Sequence, residues 1–203
     1  MNQYFTNTVH DIINSTLPMV IVTVIVLVTI RLIYLLKNKE HITWYKEIFM
    51  LTFVVYILCL FQIVTVQDTV SWSTNNFVPF KEILRYDIGS ALFFKNIIGN
   101  ILLFLPFGFF VGYIIKSKDI ILPLIICIVC SISVETVQLY IGRVFDVDDI
   151  ILNVIGGLAG YFVYRIVHSF AAKLPKAFRS EIFLNIITIA LFIGITYLLI
   201  VLL

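Results

Sequence analysis

Residues 17–36 read LPMVIVTVIVLVTIRLIYLL, a run in which Arg31 is the only charged residue. A helix needs about 20 mainly apolar residues to cross a bilayer. Five further stretches have this length and character, at 47–66, 96–115, 120–141, 150–168 and 182–203. In the whole chain of 203 residues only 13% are charged, which is about half the usual ~25%. We therefore predict an all-α, polytopic membrane helix bundle of six transmembrane helices, formed as a single domain over residues 1–203.

The basic residues beside these stretches predict how the helices are oriented. If the six helices alternate in direction, ten basic residues fall on one side of the membrane: Arg31, Lys37, Lys39, Lys46, Lys116, Lys118, Arg165, Lys173, Lys176 and Arg179. Four fall on the other side: Lys81, Arg85, Lys95 and Arg143. Short loops rich in Lys and Arg stay in the cytoplasm. The sequence thus predicts that both termini lie outside.

The composition argues against several classes of function. The net charge is only +2, so no nucleic acid or other polyanion is expected as a partner. Cys59, Cys127 and Cys130 all lie inside apolar runs, where small packing residues are the simpler interpretation. The three histidines are scattered along the chain. We predict neither a metal site nor a cofactor.

Glu135 lies within the fourth predicted span, about two turns from its outer end. A carboxylate inside a membrane span is costly and is a functional candidate by default. Gln138 follows three residues later and shares its helical face. Both are expected to point into the bundle, with Glu135 as the candidate catalytic residue. The alternative is that Glu135 pairs with Arg143 and ties the following turn to the bundle.

The third and fifth spans also carry polar residues near the outer face. We therefore predict one outward-opening pocket, lined by Asn96, Asn100, Glu135, Gln138, Arg143, Asp146, Asp149 and Asn153. The alternative for the asparagines is hydrogen bonding between helices, typically worth ~0.6 kcal/mol per bond in a membrane. For Asp148 we prefer a solvated loop acid with no role in the pocket.

Several small or cyclic residues predict structure rather than chemistry. Gly156 and Gly160 share a stripe with Asp149 and Asn153, and Gly157 adjoins it, so another helix is expected to approach closely there. Pro106, followed by Gly108, should kink or interrupt the third span. Pro79 can begin a short interfacial helix in the outer loop at residues 67–95, with Phe80 on its apolar face. A plain surface loop is the equal alternative.

Four segments stand in a fixed order: NFVPF at 76–80, NIIGNILLFLPFG at 96–108, ETVQ at 135–138, and DVDDIILNVIGG at 146–157 with Gly160. Together they resemble the VanZ-like membrane protein family over residues 76–164. Within these segments we assign a structural rather than a binding role to Asn76, Pro79, Phe80, Pro106, Gly108, Gly156, Gly157 and Gly160. Arg143 fits many members of the family but is not universal among them.

The resemblance implies a multi-pass protein of the bacterial cytoplasmic membrane. The founding member of the family is associated with low-level resistance to teicoplanin, a glycopeptide antibiotic with a fatty acyl chain. The implied partners are membrane lipid and, at the outer leaflet, an amphiphilic antibiotic or a lipid-linked cell-wall precursor. One alternative is a membrane enzyme that acts on a lipid or lipid-linked sugar through its outward-facing carboxylates, and another is a small-solute transporter. The oligomeric state stays open.

Overall fold

The protein is described by a computed structural model, which covers residues 2–66 and 75–202, with side chains at 16–65, 75–191 and 193. Six long helices occupy these residues: α1 Asn2–Asn38, α2 Trp44–Val66, α3 Ala91–Ile115, α4 Ile121–Tyr140, α5 Val147–Lys173 and α6 Glu181–Leu202. Short 3-10 helices lie at Ile83–Arg85 and Lys176–Arg179. Within these ranges the only extended pairing is a single parallel bridge between Asn76 and Asp146. The all-helical fold class is confirmed for these residues.

Five of the helices are long and apolar enough to cross a membrane: Thr16–Asn38 of α1, Trp44–Thr65 of α2, and all of α3, α4 and α5. Large apolar side chains are exposed along them, which suits contact with lipid tails rather than with water. The protein is therefore a multi-pass membrane protein. The sixth predicted span coincides with α6, but most of its side chains from residue 192 onward lie outside the described residues. The count of six and the external termini stay predictions.

The chain divides into two compact units. The first unit combines residues 1–59 with 170–203. In it, the Arg31 guanidinium donates two hydrogen bonds to the Glu47 carboxylate, each 2.9 Å long. The backbone N–H of Tyr45 donates to Asn185 Oδ1 at 2.9 Å. These contacts fasten the start of α2 to α1 and α6.

The second unit, residues 60–169, contains α3, α4 and α5 up to Ser169. Glycines bring the backbones of α3 and α5 into direct contact: a Cβ on Gly156 would lie 2.2 Å from the carbonyl oxygen of Ile101, and a Cβ on Gly160 would lie 1.9 Å from that of Leu105. Likewise, a Cβ on Gly108 would lie 1.6 Å from the oxygen of Gly157. Any side chain there would force the helices apart. The glycine stripe of α5 thus lies at the closest approach between α3 and α5.

One face of α4 is buried and the opposite face is exposed. The buried residues are Pro123, Cys127, Ser131, Glu135 and Gln138, which recur at steps of three and four and so share one face. Cys127 packs against Gly157, where a Cβ would lie 2.5 Å from the Cys127 sulfur. Ile125, Val129 and Ile132 are exposed on the other side. This alternation fixes which polar residues of α4 point into the second unit.

The sequence predicted that Pro106 kinks or interrupts its span, and the predicted interruption was wrong. The α-helical part of α3 runs unbroken from Gly99 to Ile115 with Pro106 inside it. On either side of Pro106, Leu105 and Gly108 lie against the glycines of α5. Contact with a neighbouring helix is one reason why proline is tolerated inside a membrane span. The irregularity in α3 lies earlier, in a π-helical turn at Phe94–Ile98.

Candidate functional site

A cavity of about 120 Å³ lies in the second unit, where α3 and α5 begin and α4 ends. We call it the polar cavity. All eight residues of the predicted pocket line it: Asn96, Asn100, Glu135, Gln138, Arg143, Asp146, Asp149 and Asn153. The lining also includes Glu82, Tyr86, Lys95 and Asp148, which the sequence analysis had left out. The polar residues that the sequence predicted to share one pocket therefore do line one cavity in the structure.

Glu135 is the most deeply buried acid of the predicted set, with 1% of its surface exposed. Its Oε2 accepts the backbone N–H of Asp146 at 3.0 Å. In the amide orientation that satisfies both neighbours, Gln138 donates to Glu135 Oε1 at 2.7 Å and accepts from Arg143 Nη1 at 2.6 Å. The link from Glu135 to Arg143 that the structure shows therefore runs through the Gln138 amide. Glu135 ties the turn to α4 through that amide and through the backbone of Asp146.

Arg143 lies on the turn between α4 and α5 and is partly buried. Besides its contact with Gln138, its Nη1 donates to the backbone oxygen of Val64 at 2.8 Å. Val64 is in the last turns of α2 and also lines the polar cavity. Arg143 thus connects the end of α2 to the end of α4, and its positive charge lies among the acids of the cavity.

The interpretation of Asp148 as a solvated loop acid was wrong. Asp148 is 1% exposed. One carboxylate oxygen accepts the backbone N–H of Phe80, and the other accepts those of Glu82 at 2.7 Å and Ile83 at 3.1 Å. Three donors satisfy this buried charge, which would otherwise be costly. Asp148 lies in the first turn of α5, where the helix dipole also stabilises a negative charge.

These bonds also explain why the interfacial helix predicted to begin at Pro79 does not form. Phe80 has a left-handed backbone with φ of 67°, and the N–H groups that would make the first helical turn bond to Asp148 instead. Residues 79–82 form turns, and only Ile83–Arg85 forms a short 3-10 helix. The surface-loop alternative is the closer description. Residues 67–74 of the predicted outer loop lie outside the described residues.

The start of this loop is fixed to the turn between α4 and α5. The backbone N–H of Asn76 donates to the oxygen of Phe145 at 2.9 Å, and Val147 N–H donates to Asn76 O at 3.1 Å. The Asn76 side chain, only 4% exposed, donates to Asp146 Oδ1 at 2.8 Å. Burial raises the pKa of the Asp146 carboxyl, and the bond from Asn76 opposes that rise. The first segment of the VanZ-like pattern is therefore bonded to the fourth.

The asparagines of α3 reach the cavity from the π-helical turn and the residues after it. Asn100 Nδ2 donates to Asp149 Oδ1 at 2.6 Å. Asn96 is hydrogen-bonded to Tyr86, whose pKa is raised mainly by burial and is lowered by this bond. Deeper in the unit, Asn153 donates to the Ser131 hydroxyl at 3.1 Å. The π-helical turn places Asn96 at the cavity, and such turns are frequent at functional sites.

Two kinds of residue were missed by the sequence analysis. Ser131 had a signal, because it lies four residues before Glu135 on the same face of α4. Glu82 and Tyr86 had none, since each reaches the cavity from a non-helical loop that Asp148 holds in place. Their position depends on a contact more than sixty residues away in sequence. Periodicity within one helix cannot report such a contact.

The lining of the polar cavity carries more acids than bases. Its five carboxylic acids are Glu82, Glu135, Asp146, Asp148 and Asp149, and its two basic residues are Lys95 and Arg143. Among the described residues, no three His, Cys, Asp or Glu side chains are grouped closely enough to hold a metal ion. What the cavity offers is a set of hydrogen-bond acceptors and donors with mixed charge. Such a set suits the binding of a small polar group.

The family model described as VanZ/LLP1 matches residues 48–168, more than half of the 203-residue chain. The protein belongs to the VanZ-like family. The match covers every residue that lines the polar cavity, and it extends beyond the segments at 76–164 that carried the resemblance. Comparison with curated proteins gave no match, and comparison with solved structures gave none either. In this VanZ-like membrane protein, the family segments therefore coincide with the cavity and with the glycine contact that supports it.

Proposed function

We propose that this VanZ-like membrane protein binds the polar head of an amphiphilic molecule in the polar cavity. The ligand is an acylated glycopeptide antibiotic or a lipid-linked cell-wall precursor at the outer leaflet of the bacterial membrane, and binding lowers susceptibility to teicoplanin. One observation carries the proposal: polar residues from three candidate spans and from the outer loop meet around a single cavity of about 120 Å³.

The size of the cavity limits what enters it. At about 120 Å³ the cavity is smaller than the sites of drug-sized ligands, which measure about 300–1,000 Å³. A head group or part of one fits this space, whereas a whole glycopeptide or a long acyl chain does not. An amphiphile would therefore place a small polar part in the cavity and leave its apolar part in the bilayer.

The hydrogen bonds around the cavity occupy Asp148 and Glu135 more fully than Asp149. Asp148 is occupied by three backbone donors, and Glu135 by a backbone donor and an amide. Asp149 accepts a hydrogen bond from Asn100 on Oδ1, and no other described residue donates to it. A ligand with a hydrogen-bond donor can use the remaining acceptor. We therefore regard Asp149 and Asn100 as the leading contacts for a bound head group.

The outer leaflet is proposed from charge. If the predicted spans alternate in direction, ten basic residues fall on the side of the membrane opposite the cavity and four on its own side. The positive-inside rule then places the cavity outside, where glycopeptides meet their wall precursors. An inhibitor of antibiotic action has to be accessible from that side.

The test compares native protein with Asp149→Ala and Asp87→Ala in a susceptible Gram-positive host, at equal membrane abundance. Asp87 serves as a control because it is an exposed acid of the loop between α2 and α3 and does not line the cavity. We expect native protein and Asp87→Ala to raise the inhibitory concentration of teicoplanin, and Asp149→Ala to lose this effect. Vancomycin, which lacks the acyl chain, should be unaffected. Unchanged susceptibility to teicoplanin with native protein would contradict the proposed role in resistance.

Direct binding is measured separately on purified protein in lipid nanodiscs, with teicoplanin and with a lipid-linked precursor. Binding that Asp149→Ala abolishes and Asp87→Ala retains supports the cavity as the site. Equal binding by all three proteins would exclude it. The enzyme alternative is addressed by Glu135→Gln, which keeps the shape of the side chain but cannot exchange a proton. Full function of this variant would argue against acid–base chemistry.

A further inference from the structure

The loop between α2 and α3 exposes large apolar side chains that the candidate spans do not account for. Leu84 is 82% exposed and Ile88 is 90% exposed, and Phe77, Val78 and Phe80 are each more than half exposed. We call these five the apolar loop residues. They lie outside all five candidate spans. Large apolar side chains collected on a surface mark an interaction site.

The exposure of the apolar loop residues is a consequence of how the loop is held. Three of its polar residues turn inward, with Asn76 bonded to Asp146 and with Glu82 and Tyr86 on the polar cavity. Its backbone donors at Phe80, Glu82 and Ile83 are bonded to Asp148. A backbone fixed at this many points cannot turn the apolar side chains inward. The loop therefore has one face on the cavity and an apolar face directed away from it.

The position of the loop indicates what covers that apolar face. Two candidate spans flank it, since α2 ends at Val66 and α3 begins at Ala91, so both ends of the loop lie at a membrane boundary. Exposed basic residues are interleaved with the apolar ones, at Lys81 and Arg85. Apolar side chains combined with Lys and Arg are typical of segments that lie in the lipid head-group region.

An exposed tyrosine marks the same end of the unit. Tyr140, at the end of α4, is 93% exposed, and the turn that follows it is bonded to the start of the loop at Asn76. Tyrosine is enriched at membrane–water interfaces, where its ring contacts lipid and its hydroxyl contacts water. A lipid leaflet supplies apolar depth and phosphate groups together, and it matches both parts of this surface.

We propose that the apolar loop residues insert into the lipid leaflet beside the polar cavity, with Lys81 and Arg85 at the lipid phosphates. An amphiphile then enters the cavity from the leaflet rather than from water. The entry route rests on the proposed function of the cavity. The insertion of the loop does not, because it follows from the exposed surface alone.

The experiment uses tryptophan fluorescence in the full-length, ligand-free protein. The native tryptophans, Trp44 and Trp72, are replaced by Phe, and Leu84→Trp and Ile88→Trp are introduced one at a time. Both positions are so exposed that the larger ring displaces no packed neighbour. Each protein is reconstituted in vesicles of phosphatidylcholine and phosphatidylglycerol with brominated acyl chains, which quench only tryptophans in contact with lipid.

Two matched variants calibrate the measurement. Val129→Trp lies on the exposed apolar face of α4 and reports full contact with lipid. Lys118→Trp lies on the exposed turn between α3 and α4 and reports contact with water. For an interfacial segment we expect bromolipid to quench Leu84→Trp and Ile88→Trp at least about half as strongly as Val129→Trp. Iodide in the aqueous phase should quench them less than it quenches Lys118→Trp.

Two outcomes would overturn the insertion. Strong quenching by iodide together with weak quenching by bromolipid would place the loop in water. Protection from both quenchers would show that protein covers the loop, such as a second copy of the chain. Since no ligand is present, a failure of teicoplanin binding leaves this measurement unaffected. A failure of quenching likewise leaves the binding test of the cavity standing.

Discussion

The carboxylate of Asp148 accepts the backbone N–H of Glu82 at 2.7 Å, joining two residues that are 66 positions apart in the chain. The same carboxylate accepts the N–H groups of Phe80 and Ile83. One side chain in the first turn of α5 thereby fixes part of the loop between α2 and α3. Together with the bonds of Asn76 to Phe145, Asp146 and Val147, it holds this loop, and with it Glu82 and Tyr86, at the polar cavity.

Asp148→Asn tests the anchor of the loop. The change replaces one acceptor oxygen by an NH₂ group, which faces N–H donors and cannot bond to them. Loss of a charged, buried acceptor is expected to cost about 1–3 kcal/mol. We expect faster hydrogen–deuterium exchange at the amides of Phe80, Glu82 and Ile83, measured in detergent or nanodiscs. Asp87→Asn, an exposed acid of the same loop, should leave exchange at these amides unchanged.

Gly156→Ala and Gly160→Ala test the contact between α3 and α5. The added Cβ would lie 2.2 and 1.9 Å from backbone oxygens of α3, and backbone atoms cannot move aside as a flexible side chain can. Overpacking of this kind costs about 1–3 kcal/mol. The thermal unfolding midpoint of the purified protein in detergent should fall for both variants.

Gly99→Ala is the matched control for the glycine contact. A Cβ at Gly99 meets only the oxygen of Phe94 at 3.7 Å, which is an ordinary contact. Alanine is the better helix former by about 1 kcal/mol, so this variant should unfold at the native temperature or slightly above it. Equal losses in all three variants would show that helical glycine itself, rather than close packing, is needed.

The bond between Asn100 and Asp149 is expected to contribute measurably to stability. A double-mutant cycle with Asn100→Ala and Asp149→Ala isolates it. Polar pairs between membrane helices average about 0.6 kcal/mol and reach about 1.7 kcal/mol, and the 2.6 Å distance to a carboxylate favours the upper part of that range. The cycle for Asn96 with Asp149 serves as the comparison, because Asn96 is bonded to Tyr86 instead. Equal coupling in the two cycles would contradict the assignment.

The raised pKa of Asp146 predicts that the stability of the protein depends on pH. Burial raises the pKa of its carboxyl above the ordinary value of 3.8, so the folded protein holds this proton more tightly than the unfolded chain. The contribution of Asp146 to stability is therefore greatest below its unfolded pKa and decreases as the pH rises through its folded pKa. Asp146→Asn removes this term while its side-chain oxygen can still accept from Asn76 and from the Asp148 N–H.

The measurement compares thermal unfolding midpoints of native protein and Asp146→Asn from about pH 4 upward, within the range where the protein stays soluble. The midpoint of the native protein should fall relative to that of the variant as the pH rises. A difference that is constant across this range would show that the carboxyl of Asp146 titrates alike in the folded and unfolded states.

The sequence by itself determined the helices and the faces that they bury. Apolar runs of spanning length follow from the need of a bilayer for backbone groups that bond within one segment. The steps of three and four that join Glu135 to Gln138, and Asn153 to Gly156 and Gly160, follow from the pitch of the helix. For these reasons the sequence alone could specify the spans, the glycine stripe and the eight polar residues at one end of three helices.

Only the tertiary structure decided how those residues are bonded to one another. The burial of Asp148 depends on donors from Phe80, Glu82 and Ile83, which lie far away in the chain. The failure of the loop to become a helix at Pro79, and the uninterrupted α-helix through Pro106, have the same origin. Hydrogen bonds and packing between distant segments outweighed local propensity at each of these places, and a pattern along one segment carries no information about partners in another.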